Sequence, residues 1–464
     1  MSSLDAFFRP RSVAVVGAAE RETSSGGAVL RNARISGYRG RVIPVNQKGG
    51  AILGIEAKTS LREINPPADL VVIVVRPDLI LDVVRDAGAS GHKRVLILPG
   101  GFAEAGDAGL SRDAELRRIA LEYGITVAGP NCAGFIDQLD PDFPFAATFL
   151  RDMPRGGGVA FVSQSGAITE QIIAKSHEMG LPIGAVVSVG NAMHLGVTEY
   201  LEHYGADARC SVVALYVESF GDAERFKTVA LRVAREKPIV ALVGGRSSPG
   251  VGAVKRHTGG DAPDDVALDR LLAECGVIRV DSLRRLLIAC KGLGAFPQGI
   301  GRRILLLSNS GGPGVLTTDS AAREGLRFPA LPRALADELR SALPGEAAVA
   351  NPLDLLADAR EDRFGDTLMR ALTHGKDVFD AILMLHVVPF MVDASPVVIR
   401  LAEIARNARV PIMHSMMGTL PGKTDWFTAL ETAGVPAFDD GEEMAIAAGI
   451  AARYGELRHS LRSR

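Results

Sequence analysis

Val159-Ala160-Phe161-Val162-Ser163-Gln164-Ser165-Gly166 is a four-residue apolar run that breaks into a serine, an amide, a serine and a glycine. The chain repeats this pattern at Ile304-Leu305-Leu306-Leu307-Ser308-Asn309-Ser310-Gly311. A continuous apolar run suits a strand buried on both faces, the mark of a parallel sheet. Serine followed by glycine suits a helix entrance, and helix-compatible sequence follows over 167–176 and again after Pro313. The pair predicts an internal repeat at domain scale: two doubly wound α/β domains of one architecture.

Beyond the first copy, apolar strands are expected at 182–189, ending at Gly190-Asn191, at 211–217, ending at Glu218-Ser219, and at 238–243. The last leads through Gly244, Gly245, Gly250 and Gly252 to Val254-Lys255-Arg256-His257-Thr258-Gly259-Gly260, which reads as a glycine-rich loop before a helix starting near Pro263. Beyond the second copy, strands are expected at 381–385 and 410–413. Upstream of both, Ser12-Val13-Ala14-Val15-Val16-Gly17 opens a third strand–loop–helix series, with a polar loop over 18–27 and a helix to about Ser36. Strands at 41–48, 70–75, 94–98 and 125–128 alternate with helices at 77–89 and 111–123. After Gly17 the next glycines are Gly26 and Gly27, so this is no GxGxxG dinucleotide fingerprint, and the longer loop leaves room for a larger phosphorylated ligand. The stretch 140–158, with Pro141, Pro144, Pro154 and three glycines, reads as a linker, and Pro297-Gln298-Gly299-Ile300-Gly301 as a second break. The expected domains are 1–140, 155–296 and 300–464.

The 464 residues suit about three domains at about 100–200 residues each. With 52 basic and 54 acidic residues and no charged tail, nothing points to nucleic acid or an anionic membrane as partner. Cys132, Cys210, Cys275 and Cys290 lack metal-ligand spacing and suit free thiols in a reducing compartment. No apolar run reaches membrane-spanning length and the N-terminus lacks a secretory pattern, so a soluble, cytoplasmic protein is expected.

Strand ends are where open α/β sheets bind ligands. In the first domain they carry Gly17, Lys48, Pro99-Gly100-Gly101 and Gly129-Pro130-Asn131-Cys132. Lys48 suits a phosphate. Ser165-Gly166-Ala167 offers the unpaired N–H groups of a helix start to a phosphate, or is simply a serine cap. Glu218, at the end of a buried strand, needs a partner; an imidazole Nδ1–H or a surface cation would serve. His257 can act as a nucleophile through its remaining ring nitrogen, or is a solvated loop histidine. Cys132 has no histidine or aspartate beside it and reads as a core thiol; His177, His194, His203 and His386 form no metal-ligand pattern and read as structural or surface residues.

Eight stretches in order carry a resemblance: 8–18 (FRPRSVAVVGA), Pro44-Val45-Asn46, Gly101-Phe102-Ala103-Glu104-Ala105-Gly106, Gly129-Pro130-Asn131-Cys132, Ser163-Gln164-Ser165-Gly166-Ala167, His257-Thr258-Gly259, Gly311-Gly312-Pro313-Gly314-Val315 and Asn351-Pro352-Leu353-Asp354. Together they resemble the NDP-forming acyl-CoA synthetases, the superfamily of succinyl-CoA synthetase, and most closely the α-half of ADP-forming acetyl-CoA synthetases. The resemblance implies a Rossmann-like CoA-binding domain followed by two flavodoxin-like domains. It implies CoA near Gly17, Ala18, Ala19, Lys48, Pro99, Gly100 and Asn131. His257 would be the phosphorylated histidine, Glu218 its support, and Ser165, Gly166 and Ala167 the phosphate cradle. The implied reaction interconverts a small carboxylic acid, CoA and ATP with acyl-CoA, ADP and phosphate, through acyl phosphate and phosphohistidine. No ATP-grasp sequence follows the third domain, so ATP/ADP and Mg²⁺ are expected on a separate β-subunit, in a heterotetramer, with no metal on this chain. The sequence departs from relatives at Lys255-Arg256, where small residues are usual, and at His194, where an aspartate is usual. Two other readings are a non-catalytic CoA-binding or regulatory protein of the same fold, against which the intact His257 counts, and an NAD-dependent oxidoreductase, against which the missing fingerprint counts.

Overall fold

A computed structural model describes residues 4–258, 264–389, 392–418 and 420–463, with residues 255–258 described by backbone alone. It divides into two compact units, Met1–Asp281 and Ser282–Arg464.

The first unit holds two sheets. In the first, Arg41–Val45, Ser12–Val16, Leu70–Ile73, Arg94–Ile97 and Thr126–Ala128 lie side by side in that order, all parallel. The order reverses direction between Ser12–Val16 and Leu70–Ile73, which makes that gap the sheet's switch point. Helices Ser25–Ile35, Pro77–Ala89 and Gly106–Tyr123 make the crossovers. Gly26 and Gly27, expected in a loop, are in the first turn of a helix, because Ser24 caps it by accepting the Gly27 N–H. A Cβ on Gly26 would sit 2.2 Å from the Gly17 carbonyl oxygen, so that turn needs glycine to pack on the strand exit.

The second sheet runs Val277–Val280, Ile239–Val243, Val212–Val217, Val159–Ser163, Ile183–Ser188, with Gly134–Asp137 and Phe145–Thr148 added antiparallel at the far edge. Part of the stretch expected to be a linker is therefore a strand. Phe145–Thr148 begins right after Pro144, and all four of its residues are buried. Residues of the central strand such as Phe161 are fully buried, each such apolar side chain contributing about 1.5–3 kcal/mol.

In the second unit the strands run Leu353–Asp354, Ile304–Ser308, Ala381–Val388, Ile412–Gly418, Ala437–Phe438, again parallel. Read by order in the chain, the parallel strands of all three sheets follow one arrangement: second, first, third, fourth, fifth. Helices Leu283–Ala295 and Gly441–Arg462 pack together. Lys291, on the first of them, is buried with its Nζ 2.8 Å from Glu431 and over the rings of Phe427 and Phe438. No described helix is long and apolar enough to cross a membrane.

Candidate active site

The repeated serine–amide–serine turn is wired identically in both copies. Ser163 Oγ donates to the Ser165 carbonyl at 2.8 Å and accepts the Ser165 N–H at 3.1 Å. Ser308 does the same to Ser310 at 2.8 and 3.0 Å. The amide between the serines clips the neighbouring strand's exit. Gln164 Oε1 accepts the N–H of Glu218 and, at 3.0 Å, of Ser219, while Nε2 donates to the Ser219 carbonyl at 2.8 Å. Asn309 grips Val387 likewise, at 2.9 and 2.8 Å. The copies differ at the helix entrance. Ser165 Oγ accepts the Ile168 N–H at 3.3 Å to cap Gly166–Met179, whereas Ser310 makes no side-chain cap to Gly311–Arg323. The positive end of the Gly166–Met179 helix faces the turn after Asn131: a Cβ on Gly166 would lie 3.7 Å from the Ala133 Cβ. Ala167 is exposed in that first turn.

Glu218 is buried, 6% exposed. The Tyr216 hydroxyl donates to its Oε1 at 3.1 Å, and burial, then the Glu218 charge, push that phenol up to about 12, so it stays a donor. Gly244, at the exit of the next strand, lies against it: a Cβ there would come 3.4 Å from Glu218 Cγ.

The first sheet supplies two groups of strand-end residues. At the switch point Gly17 takes φ +92°, and a Cβ would strike the Val74 carbonyl oxygen at 2.4 Å. Asn46 donates from Nδ2 to the Ala18 carbonyl at 2.7 Å and accepts the Lys48 N–H at 2.9 Å. Ala18 is buried, Ala19 half-buried and Lys48 exposed. On the other side of the Leu70–Ile73 strand are Pro99, Gly100 and Asn131. A Cβ on Gly100 would meet Glu104 Oε1 at 2.8 Å and Asn131 Oδ1 at 2.9 Å. Glu104 Oε1 accepts the N–H groups of Gly101 and Phe102, and its Oε2 accepts Asn191 Nδ2 at 2.5 Å. Partial burial opposes the charge of Glu104, but these donors, Asn191 foremost, outweigh it and hold the carboxyl below its usual range. Asn131, in the left-handed region at φ +59°, donates to Asn191 Oδ1 at 3.2 Å.

A seam joins the two sheets. The N–H of Asn191 reaches the Pro130 carbonyl at 2.9 Å, that of Met193 the Gly129 carbonyl at 3.0 Å, and the Val127 N–H donates to His194 Nδ1 at 3.0 Å. That last bond places the ring proton on Nε2. Burial, then the nearby Arg117, lower the imidazole's pKa, so the ring is neutral. The sequence assigned His194 no such part; it caps an edge strand whose open amides no motif announces.

Between these elements lies a cleft of about 370 Å³. Glu104 and Asn131 line it from the first sheet, and Gln164, Asn191, His194 and Arg225 from the second. Gln164, Glu104, Asn191 and Arg225 were not singled out as site residues. The one signal for Gln164 was its place opposite Asn309 in the repeat. Cys132 is 4% exposed, and burial pushes its thiol up to about 12, in keeping with a core thiol.

The stretch expected to be a glycine-rich loop is helical: Ser248–Thr258 forms a helix. Ser247 starts it by accepting the Gly250 N–H on Oγ (3.2 Å) and the Val251 N–H on its carbonyl (2.8 Å). Pro249 and Gly250 therefore fall in the first turn, where neither costs much. This helix packs against the Ala103–Ala105 turn at the cleft. His257 belongs to its backbone; its side chain, and residues 259–263, lie outside the described residues. Among the described residues no group of three or more His, Cys, Asp or Glu could hold a metal ion.

Three domain families match the chain in succession: a CoA binding domain over 11–138, a succinyl-CoA ligase like flavodoxin domain over 156–293, and a ligase-CoA domain over 304–461. The chain is 33% identical to the alpha subunit of the ADP-forming acetate–CoA ligase II of Pyrococcus furiosus, over 96% of each chain. It is 31% identical to the ADP-forming acetate–CoA ligase I of Archaeoglobus fulgidus over 98% of its own length, and spans 64% of that relative's. Among solved structures it resembles the dinucleotide forming acetyl-coenzyme A synthetase 1 of Ca. Korarchaeum cryptofilum in complex with phosphate and ADP, with a TM-score of 0.90, 29% identity, and 100% and 99% of the two chains covered.

Proposed function

The chain belongs to the NDP-forming acyl-CoA synthetase family, among the alpha subunits of the ADP-forming acid–thiol ligases, and from that membership we propose the reaction and the residues that carry it. The reaction is carboxylic acid + CoA + ATP ⇌ acyl-CoA + ADP + phosphate, by way of acyl phosphate and a phosphohistidine. Residues 1–140 bind CoA, with Gly17, Ala18, Ala19 and Lys48 at one strand-end group and Pro99, Gly100 and Asn131 at the other. Residues 155–296 carry the phosphoryl chemistry, and 300–464 form the second flavodoxin-like domain. An ATP-grasp β-subunit holds the nucleotide and Mg²⁺ in a heterotetramer, in the cytoplasm, where the four buried free cysteines stay reduced.

In the acyl-CoA-consuming direction, phosphate at the Ser165-Gly166-Ala167 helix entrance attacks the thioester carbonyl. CoA leaves as the thiol and acyl phosphate forms. A ring nitrogen of His257 then takes the phosphoryl group, releasing the carboxylate, and passes it to ADP. Helix N–H groups and the helix dipole offset the charge on the phosphoryl oxygens. Glu218 accepts the other ring N–H and stabilises the imidazole as it gains positive character. The observation that carries this reading is one of place. Gln164, Ser219 and Asn131 line one cleft, Gln164 next to Ser165 in the chain and bonded to the Glu218 N–H, and the helix bearing His257 packs on the Ala103–Ala105 turn at its rim, which supports this reading.

The test combines the chain with its β-subunit, acetyl-CoA, radiolabelled phosphate and ADP. Acid-labile label on the wild-type chain and its loss in His257→Ala are expected. Normal turnover by His257→Ala would sink the reading.

A further inference from the structure

The internal repeat shows what the Ser165 turn needs for its shape and what it carries beyond that, an inference that rests on the ligase reading above. In both copies the amide of the turn accepts a backbone N–H from the neighbouring strand: Gln164 that of Glu218, Asn309 that of Val387. The strands pair in the same register, Ser163 opposite Tyr216 and Ser308 opposite Leu385. One strand further on, Val243 stands opposite Val217, which brings Gly244 beside Glu218, while Met417 stands opposite Val387. The equivalent positions are therefore Tyr216, Glu218 and Gly244 in the first copy and Leu385, Val387 and Met417 in the second. The shared backbone frame is satisfied by three apolar side chains. A phenol, a carboxylate and a missing side chain replace them together in the first copy.

These three positions touch. The Tyr216 hydroxyl donates to Glu218 Oε1 at 3.1 Å. A Cβ on Gly244 would come 3.3 Å from that hydroxyl oxygen and 3.4 Å from Glu218 Cγ, so glycine lets this strand exit pass close without pressing on the pair. Burial first, then the Glu218 charge, push the phenol up to about 12, so it keeps its proton at neutral pH. Gln164 fixes the Glu218 backbone but not its side-chain torsions; a bond at Oε1 restricts those.

We propose that Tyr216 is a positioning residue for the phosphoryl transfer: its hydroxyl aims the Glu218 carboxylate at the His257 ring N–H. Glu218 so held accepts that N–H while the other ring nitrogen takes the phosphoryl group. Tyr216 gives up no proton in this role.

Tyr216→Phe removes one oxygen and keeps the ring. In the enzyme reconstituted with its β-subunit, rapid-quench labelling of the histidine from acetyl-CoA and radiolabelled phosphate should slow at least about tenfold, the loss expected for one hydrogen bond to a charged group. The KM for acetyl-CoA should stay within about threefold. The effect runs through Glu218, so Glu218→Ala and Glu218→Ala/Tyr216→Phe should label at the same rate, whereas a merely structural tyrosine would add its own loss. The same cycle with Glu218→Gln, which keeps the shape and removes the charge, should leave Tyr216→Phe a smaller loss than in wild type. Wild-type labelling in Tyr216→Phe, additive losses in the cycles, or a KM that rises as much as the rate falls would each overturn the inference. So would a Glu218→Ala chain labelled at the wild-type rate, which removes the role of Glu218 as well. Label that is lost in His257→Ala alongside any of these outcomes leaves the ligase reading standing; no acid-labile label on the wild-type chain removes both.

Discussion

An amide side chain bonded to two backbone N–H groups and one carbonyl cannot be replaced by an apolar one of similar size without orphaning all three. Gln164 is such an amide, and what it holds is the Glu218–Ser219 corner, whose carboxylate faces the Tyr216 hydroxyl. Each buried polar group left unpaired costs about 1–3 kcal/mol. Gln164→Leu is therefore expected to lower thermal stability and, by releasing Glu218, to cut the rate of histidine phosphorylation at least about tenfold. CoA affinity should stay near normal, because the Gly17–Lys48 group is reached through Asn46 instead. Stopped-flow phosphorylation beside CoA titration separates the two; equal losses in both would refute the assignment. None of this could be read along the chain, since Gln164 lies 54 residues from the amide it holds. What could be read was the pairing of Gln164 with Asn309 in the repeated turn, a sign that the amide was structural before it was anything else.

The two repeated helix entrances are alike in their turns and unlike in their caps. Ser165 caps its helix through Oγ and Ser310 does not. Ser165→Ala should cost about 0.5–2 kcal/mol in chemical denaturation, and Ser310→Ala clearly less; matching losses would mean that the cap is not what distinguishes the copies. Elements such as these were legible where local signals agreed. The central strands are unbroken apolar runs, Val159–Ser163 and Ile304–Ser308 among them, and Pro77–Ala89 has proline at its first turn. Two elements were misread because a residue's meaning depends on its position. Gly250 and Pro249 read as loop formers, yet in the first turn of Ser248–Thr258 they fit a helix started by Ser247. Pro144 read as part of a linker, yet it stands just outside a buried edge strand, where the missing N–H costs nothing. Of the cleft only the strand ends were legible; the bonds of Asn191 to Glu104 and Asn131 that close it cross between the two sheets.

On the scale of the whole molecule, the second unit carries an acid-sensitive device. His386 and His414 sit on paired strands with ring centroids 6.0 Å apart, 2% and 0% exposed. Among the described residues, His386 Nδ1, both ring nitrogens of His414 and the neighbouring Ser415 Oγ have no hydrogen-bond partner. Burial pushes His386 down to about 4, and burial together with its neighbour pushes His414 down to about 3. Both folded values lie below the unfolded one of about 6.5. The unfolded chain therefore binds more protons as the solution acidifies. Stability is full above about pH 6.5 and is lost as pH falls from there toward the folded values. At pH 5.5 the loss is about 1.4 kcal/mol for each ring. The chain's single tryptophan, Trp426, is buried in this unit, so its fluorescence reports the second unit alone. The urea midpoint it follows should drop between pH 7.5 and 5.5, and by roughly half as much in His414→Leu. An unchanged midpoint would rule the device out. The sequence counted His386 among structural or surface residues, and only the paired register of its strand with Ile412–Gly418 reveals the buried couple.

The seam of Asn191, Met193 and His194 against Pro130, Gly129 and Val127 has a mechanical consequence. Two main-chain bonds and one to a histidine ring tie the sheets together along one edge, inside the single compact unit Met1–Asp281. The Asn131 and Glu104 wall of the cleft is thereby clamped to the Asn191 wall, as in a vise whose jaws share one screw.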